Sequence, residues 1–193
     1  DVPKTWDDML DPKWKGKMAI SGRGGTMIHW IGVMVLEKGE DYVRKLGKQD
    51  ITVYSIGGRG LSNLVVSGEV PISPAVYSTQ MRTSLSKGAS VAWRDLGAVF
   101  ANSLSFAVPK TSKSPHAAML VLDFMLSKQG QKMRQDLGYV STRPDIVDKD
   151  RGMPSKIHHL DMRPNYDAEY KEWSKLKKVF GKAKKAPKKK KKG

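Results

Sequence analysis

One pattern constrains this chain more than any other: a short apolar segment runs straight into a glycine cluster and then into a long helical stretch. Lys17-Met18-Ala19-Ile20-Ser21 reads as a buried strand. Gly22-Arg23-Gly24-Gly25-Thr26 reads as a tight turn, and the residues to about Leu46 as helix interrupted at Gly39. A comparable order follows. Asp50 to Ser55 alternates and is rich in β-branched residues, Gly57-Gly58-Arg59-Gly60 turns, and Leu61 to Val66 is helical before Ser67-Gly68-Glu69 stops it. Strands alternating with helices predict an α/β fold.

Thr5 is an N-cap candidate for a short helix with Asp7 and Asp8 in its first turn, where the helix dipole favours acids. Val70 to Val76 is expected to be a strand, at an edge or with an irregular end because of Pro71 and Pro74. Gln80 to Lys87 reads as helix, Val91 to Leu96 as extended, and Ser103 to Val108 as a strand ending at Pro109. Ser114 to Leu126 carries strong helix signals, with Ser114 as cap and Pro115 at the first position. Its apolar Ala117, Met119, Leu120, Leu122, Phe124 and Met125 leave Asp123 and Lys128 to water. Gln129 to Leu137 forms a further helix, Ser141 to Pro154 a connector, and Asp167 to Val179 an amphipathic helix. Trp30, Trp93, Met18, Met27 and Met34 are core candidates.

A length of 193 residues with 39% hydrophobic content suffices for one buried core plus appendages. The apolar run Met27 to Leu36 is too short to cross a bilayer. The chain opens at Asp1 with no leader pattern, so the expectation is either a removed leader or a start partway through a longer protein. Without cysteine there are no disulfides, thiolate metal sites or cysteine nucleophiles. The net charge is +16, but eleven lysines and no acids lie between Lys175 and Gly193, which leaves +5 for residues 1–174. Lys182 to Lys192 is self-repelling and expected to be disordered, a solvated tail that would hold polyanions non-specifically and in a salt-dependent way.

Ser21, Gly22, Gly25 and Thr26 join a strand to a helix N-terminus. Free backbone N–H groups there favour an anion, glycines permit close approach, and the two hydroxyls add donors. A plain helix cap is the alternative. The loop is neither a P-loop nor a dinucleotide fingerprint. Arg59, flanked by glycines, could offer a bidentate guanidinium to a carboxylate or phosphate, or be an ordinary surface arginine. His29, His116, His158 and His159 show no metal spacing, and Asp7-Asp8 sit in a helical turn. No nucleophile–base arrangement can be assembled, so no enzyme activity and no cofactor are expected.

Several segments, in order, closely resemble a known family. They are Pro3-Lys4-Thr5-Trp6-Asp7-Asp8-Met9-Leu10 with Asp11-Pro12-Lys13-Trp14-Lys15-Gly16-Lys17, then Ser67-Gly68-Glu69-Val70-Pro71-Ile72, then Ala107-Val108-Pro109-Lys110. Ser114-Pro115-His116, Leu122-Asp123-Phe124 through Gly130-Gln131, and Gly138-Tyr139 with Thr142-Arg143-Pro144-Asp145 continue the match. The family is the family 1 extracellular solute-binding proteins of ABC transporters, and within it the iron(III)-type periplasmic binding proteins. The resemblance covers about residues 2–150 and more loosely reaches Gly181. It implies an α/β architecture: the second lobe of a type II periplasmic-binding-protein-like fold plus C-terminal helices, with a disordered basic tail.

On that basis residues 1–100 are expected to be mainly second-lobe, 101–150 an inter-lobe strand with C-terminal helices, 151–181 a connector and amphipathic helix, and 182–193 the tail. The resemblance places the Ser21–Thr26 loop at a ligand cleft. Iron(III)-binding relatives carry adjacent tyrosines where this chain has Tyr77-Ser78, which leaves Tyr77 as the only metal-ligand candidate. Core packing with a hydrogen-bonded hydroxyl is the other role for Tyr77. The implied function is ligand capture for an ABC importer: a small anionic or chelated-metal ligand, an inner-membrane permease as partner, a periplasmic location, and a monomer when full length. The chain would be a portion lacking most of the first lobe. The apolar surface of the Ser114–Leu126 helix, near the inter-lobe junction, is then expected to be exposed where that lobe is absent. The alternative is a basic nucleic-acid- or polyanion-associated protein using its lysine tail, although no specific nucleic-acid motif is present.

Overall fold

The structure, a computed structural model, describes residues 2–102, 104–141, 143–146 and 156–187. It divides into two compact units, residues 1–102 with 154–193, and residues 103–153.

In the first unit the entry is tied locally. Asp8 accepts the Lys4 and Thr5 N–H groups while its own N–H donates to Thr5 Oγ1, a reciprocal cap on the 3-10 turn Asp7–Leu10. β1 (Ala19–Ser21) pairs in parallel with β2 (Thr52–Tyr54), Ala19 opposite Thr52 and Ser21 opposite Tyr54. Between them run α1 (Thr26–Lys38) and α2 (Glu40–Gly47), broken at Gly39 as expected. Parallel strands need such a crossover. α3 (Gly58–Val66) follows β2, and α4 (Ser78–Leu85) begins two residues before its expected start.

Two expected strands change. Val70 to Val76 contributes only a parallel bridge, Met18 with Ile72, because Pro71 and Pro74 lack the N–H groups a ladder requires. Ser103 lies outside the described residues, and 104–108 are irregular. The strand in this region falls earlier, at β3 (Val99–Phe100), paired in parallel with β4 (Ile157–His158).

α1 is buried on every side from Thr26 to Met34, which marks a central helix rather than a surface one. α7 (Tyr166–Leu176) packs on it through Trp173, whose ring lies over Gly32 so closely that a Cβ there would stand 2.7 Å from Trp173 Cε3. The expected Asp167–Val179 helix is α-helical only to Leu176 and closes as a 3-10 turn, Lys177–Phe180. Phe180 packs on Trp30 with ring centroids 5.6 Å apart. Trp30, Met18, Met27 and Met34 are core as expected, whereas Trp93 is only partly buried and donates its indole N–H to Val76 O.

Within the lysine-rich segment, Lys184 forms a parallel bridge to Tyr54. Its backbone is bonded to the edge of β2 at this one residue, while Lys182, Lys184 and Lys185 remain exposed. Residues 188–193 lie outside the described residues.

The second unit contains α5 (Pro115–Leu126) and α6 (Lys128–Asp136). Ser127 caps α6 by accepting the Gly130 N–H, and a Cβ on Gly130 would lie 2.0 Å from Phe124 O, so the corner requires glycine. The Gln131 side chain ties the corner by donating to Met125 O. Arg134 stacks over Phe106 and Tyr139. One expectation for α5 does not hold: Ser114 makes no side-chain cap. No α5 residue is buried, Leu120 being 73% and Val121 62% exposed.

Candidate functional site

The carboxyl ends of β1 and β2 lie side by side, and each feeds a glycine turn that opens a helix. In open α/β sheets this is where ligands bind. Ser21, at the end of β1, is completely buried, and its hydroxyl donates to Ile56 O at 2.7 Å. It thereby ties the β1–α1 turn to the β2–α3 turn.

Gly22 donates its N–H to Tyr54 O, and a Cβ there would sit 2.8 Å from Val53 Cγ1, so only glycine brings the turn this close to β2. Gly24 adopts φ +69°. Gly25 is the N-cap of α1 and supplies no side-chain cap, so the first-turn N–H groups have no such partner. Thr26 is buried at the first helical position. α3 repeats the arrangement: Gly57 is its cap without a side chain.

One turn inward, His29 is 8% exposed. Its Nε2 lies 2.8 Å from Tyr166 Oη, and Phe100, Tyr166 and Tyr170 surround the ring. Nδ1 has no hydrogen-bond partner among the described residues. The ring edge faces the α1 cap, since a Cβ on Gly25 would meet Cε1 at 3.1 Å and Nδ1 at 3.4 Å. Burial pushes the imidazole below its ordinary pKa, opposed by Asp161.

The other expected site residues are carried by other elements than the Ser21–Thr26 loop. Arg59 is exposed on the first turn of α3 and lines a groove of about 370 Å³ with Ser62, Gln80, Ser84 and Lys87. Ser62 donates to Gln80 Oε1 there. Tyr77 is the cap residue before α4; its hydroxyl accepts from Asn102 Nδ2 at 2.9 Å and its ring meets Phe100 edge-on. Ser78 opens α4. Among the described residues no group of three or more His, Asp and Glu side chains is placed to hold a metal. His158 instead pairs with Glu37 at 2.6 Å. A wider hollow of about 450 Å³, lined by Lys4, Asp7, Asp8, Asp11 and Lys13, contains none of the expected residues.

The aromatic setting of His29 escaped sequence reasoning because Tyr166 and Tyr170 lie more than a hundred residues away along the chain. The local signal was the four-residue step from Gly25 to His29, which stacks them on one helix face.

Iron-bound HitA from Pseudomonas aeruginosa is similar in fold, with TM-score 0.63 and 21% identity over 94% of this chain and 62% of that one. The periplasmic binding protein P5PA gives 0.56 and 20% over 95% and 62%, and a Bordetella ferric binding protein 0.53 and 15% over 91% and 61%. The chain thus spans about 62% of the length of these relatives. No curated protein matches the sequence. Residues 1–170 match the family of bacterial extracellular solute-binding proteins, and the chain belongs to this family, whose members bind substrates and are not enzymes.

Proposed function

We propose that this protein is the periplasmic ligand-binding component of an ABC importer and that it binds a small anionic or chelated ligand at the carboxyl ends of β1 and β2. The observation that carries this reading is the pair of neighbouring glycine turns, Gly22–Gly25 and Gly57–Gly60, each opening a helix whose first-turn amides lack a side-chain cap. Two helix N-termini converging on one end of a sheet favour negative charge.

Ser21, Gly22, Gly25 and Thr26 form and support the first turn. Arg59 offers a guanidinium from the second helix. Tyr77 and Ser78 are the remaining ligand candidates. A single tyrosine with an amide partner, Asn102, suits an oxyanion or a chelate better than a bare ferric ion, which would seek several anionic oxygen donors. Capture works by a shift between open and closed populations, and the ligand-bound form is what a membrane permease recognises.

The test is a thermal-shift titration of the full chain at fixed ionic strength with phosphate, sulfate, dicarboxylates, citrate, and ferric iron with and without citrate. A saturable rise in melting temperature with one of them is expected. A ligand at a hundred times its Kd adds about 2.7 kcal/mol to stability. The rise should disappear in Gly25→Asp, which sets a carboxylate against the α1 N-terminus. A flat response to every ligand would reject the reading for this chain.

A further inference from the structure

Beyond Phe180, Gly181 turns the chain at φ +76°, and Lys184 then pairs with Tyr54 at the end of β2. Lys184 N–H donates to Val53 O at 2.7 Å, and Ser55 N–H donates to Lys184 O at 2.8 Å. The bridge is parallel, and that fixes a direction. A segment running with β2 must leave the sheet at the carboxyl end of β2, beside the two glycine turns.

Side-chain packing agrees. Ala183 Cβ stands 3.6 Å from where a Cβ on Gly22 would be, and Ala186 packs on the buried cluster of Ala19, Leu61, Leu64 and Val70 that Tyr54 and Ile56 also cover. Residues 21–26, 55–60 and 181–187 carry Arg23, Arg59, Lys182, Lys184 and Lys185 and no acid. Lys182, Lys184 and Lys185 are exposed and have no ion-pair partner among the described residues. A second observation at this place points to a ligand: the unpartnered Nδ1 of buried His29, directed at the α1 cap.

We propose that the segment Gly181–Pro187 is part of the ligand face, an added parallel edge segment that raises the positive charge at the carboxyl ends of β1 and β2 and selects small, multiply charged oxyanions. The proposal rests on the ligand reading above. Attraction scales with the product of charges, so a trianion gains about three times what a monoanion gains from the same lysines. Helix N-termini alone would hold either.

The test compares citrate, sulfate and acetate binding by calorimetry at constant ionic strength. The proteins are the full chain, the triple variant K182Q/K184Q/K185Q, and Gly25→Ala, which fills the space over His29. The expected order for the full chain is citrate, then sulfate, then acetate. The triple variant should lose about tenfold in citrate affinity, about fivefold for sulfate and only about twofold for acetate. Citrate binding equal to that of the full chain in the triple variant overturns the proposal; if Gly25→Ala still abolishes binding, the ligand reading survives that failure. Binding to none of the three anions overturns both.

Placement is read separately, by a nitroxide at Lys185→Cys. Broadening of the Gly22–Gly25 and Ser55–Gly58 amides supports the docked segment, and no broadening overturns it. A heparin or DNA response that is lost in the triple variant while Gly25→Ala changes nothing would make the segment a general polyanion arm and also overturn the proposal.

Discussion

His29 meets two opposing demands at a single side chain. Its imidazole fills the space between the α1 cap and the Tyr166–Tyr170 pair, yet one ring nitrogen has no partner among the described residues. Burial lowers its pKa, so the folded state holds it neutral. Above about pH 6.5 the folded and unfolded imidazoles are both neutral and the group contributes no pH dependence. As pH falls through 6.5 the unfolded chain takes up a proton that the folded one refuses, and stability drops until the folded pKa is reached. Urea midpoints measured from pH 7.5 to 5.5 should therefore decline, and His29→Gln should flatten that decline. An unchanged slope would remove His29 as its source. Glu37, held low by Lys156 and His158, and Glu169, held low by Arg163, lose their contributions only below the ordinary carboxylate range, so the windows separate.

Between elements, the tightest fit is α1 against α7. Gly32 exists to admit the Trp173 ring. Gly32→Ala should raise helix propensity by about 1 kcal/mol but force the ring out of contact, and overpacking of this kind costs about 1–3 kcal/mol. The expected net is a lower urea midpoint, the reverse of the usual glycine-to-alanine effect inside a helix. Trp173→Ala should cost more, about 3–5 kcal/mol. If Gly32→Ala proves stabilising, the α1–α7 approach is looser than described. The amphipathic pattern of α7 was legible in the sequence. The glycine that receives it was not, because nothing local distinguishes Gly32 from any other helical glycine.

Across the whole molecule, burial is unevenly shared between the two units. The first encloses α1, Trp30, Leu46 and Leu160. In the second, α5 and α6 are joined through a glycine corner and a glutamine, with large apolar side chains in water. Elements with few buried apolar contacts open easily. Amide exchange of the full chain should therefore be orders of magnitude faster in α5 than in α1. Protection of α5 equal to that of α1 would mean that its exposed face is covered by association in solution, which a concentration series would reveal.

What the sequence determined by itself is local. The order of strand, glycine turn and helix from Lys17 to Val66 follows from hydrophobic period, β-branching and glycine placement, all read within a few residues. The Pro115 start of α5 and the buried methionines belong with it. The turn at Ser21–Thr26 was legible as a place where a strand meets a helix N-terminus. That Ser21 uses its hydroxyl on Ile56 O, a contact across 35 residues, was not.

Only tertiary structure decided that the strand in the third quarter is Val99–Phe100, since a strand exists only where a partner, here Ile157–His158, supplies its hydrogen bonds. It also decided that a lysine run with every compositional mark of disorder is held at Lys184, because the open edge of β2 offers Val53 O and Ser55 N–H to whatever backbone lies alongside. Composition reports side chains, and these bonds are made by the main chain.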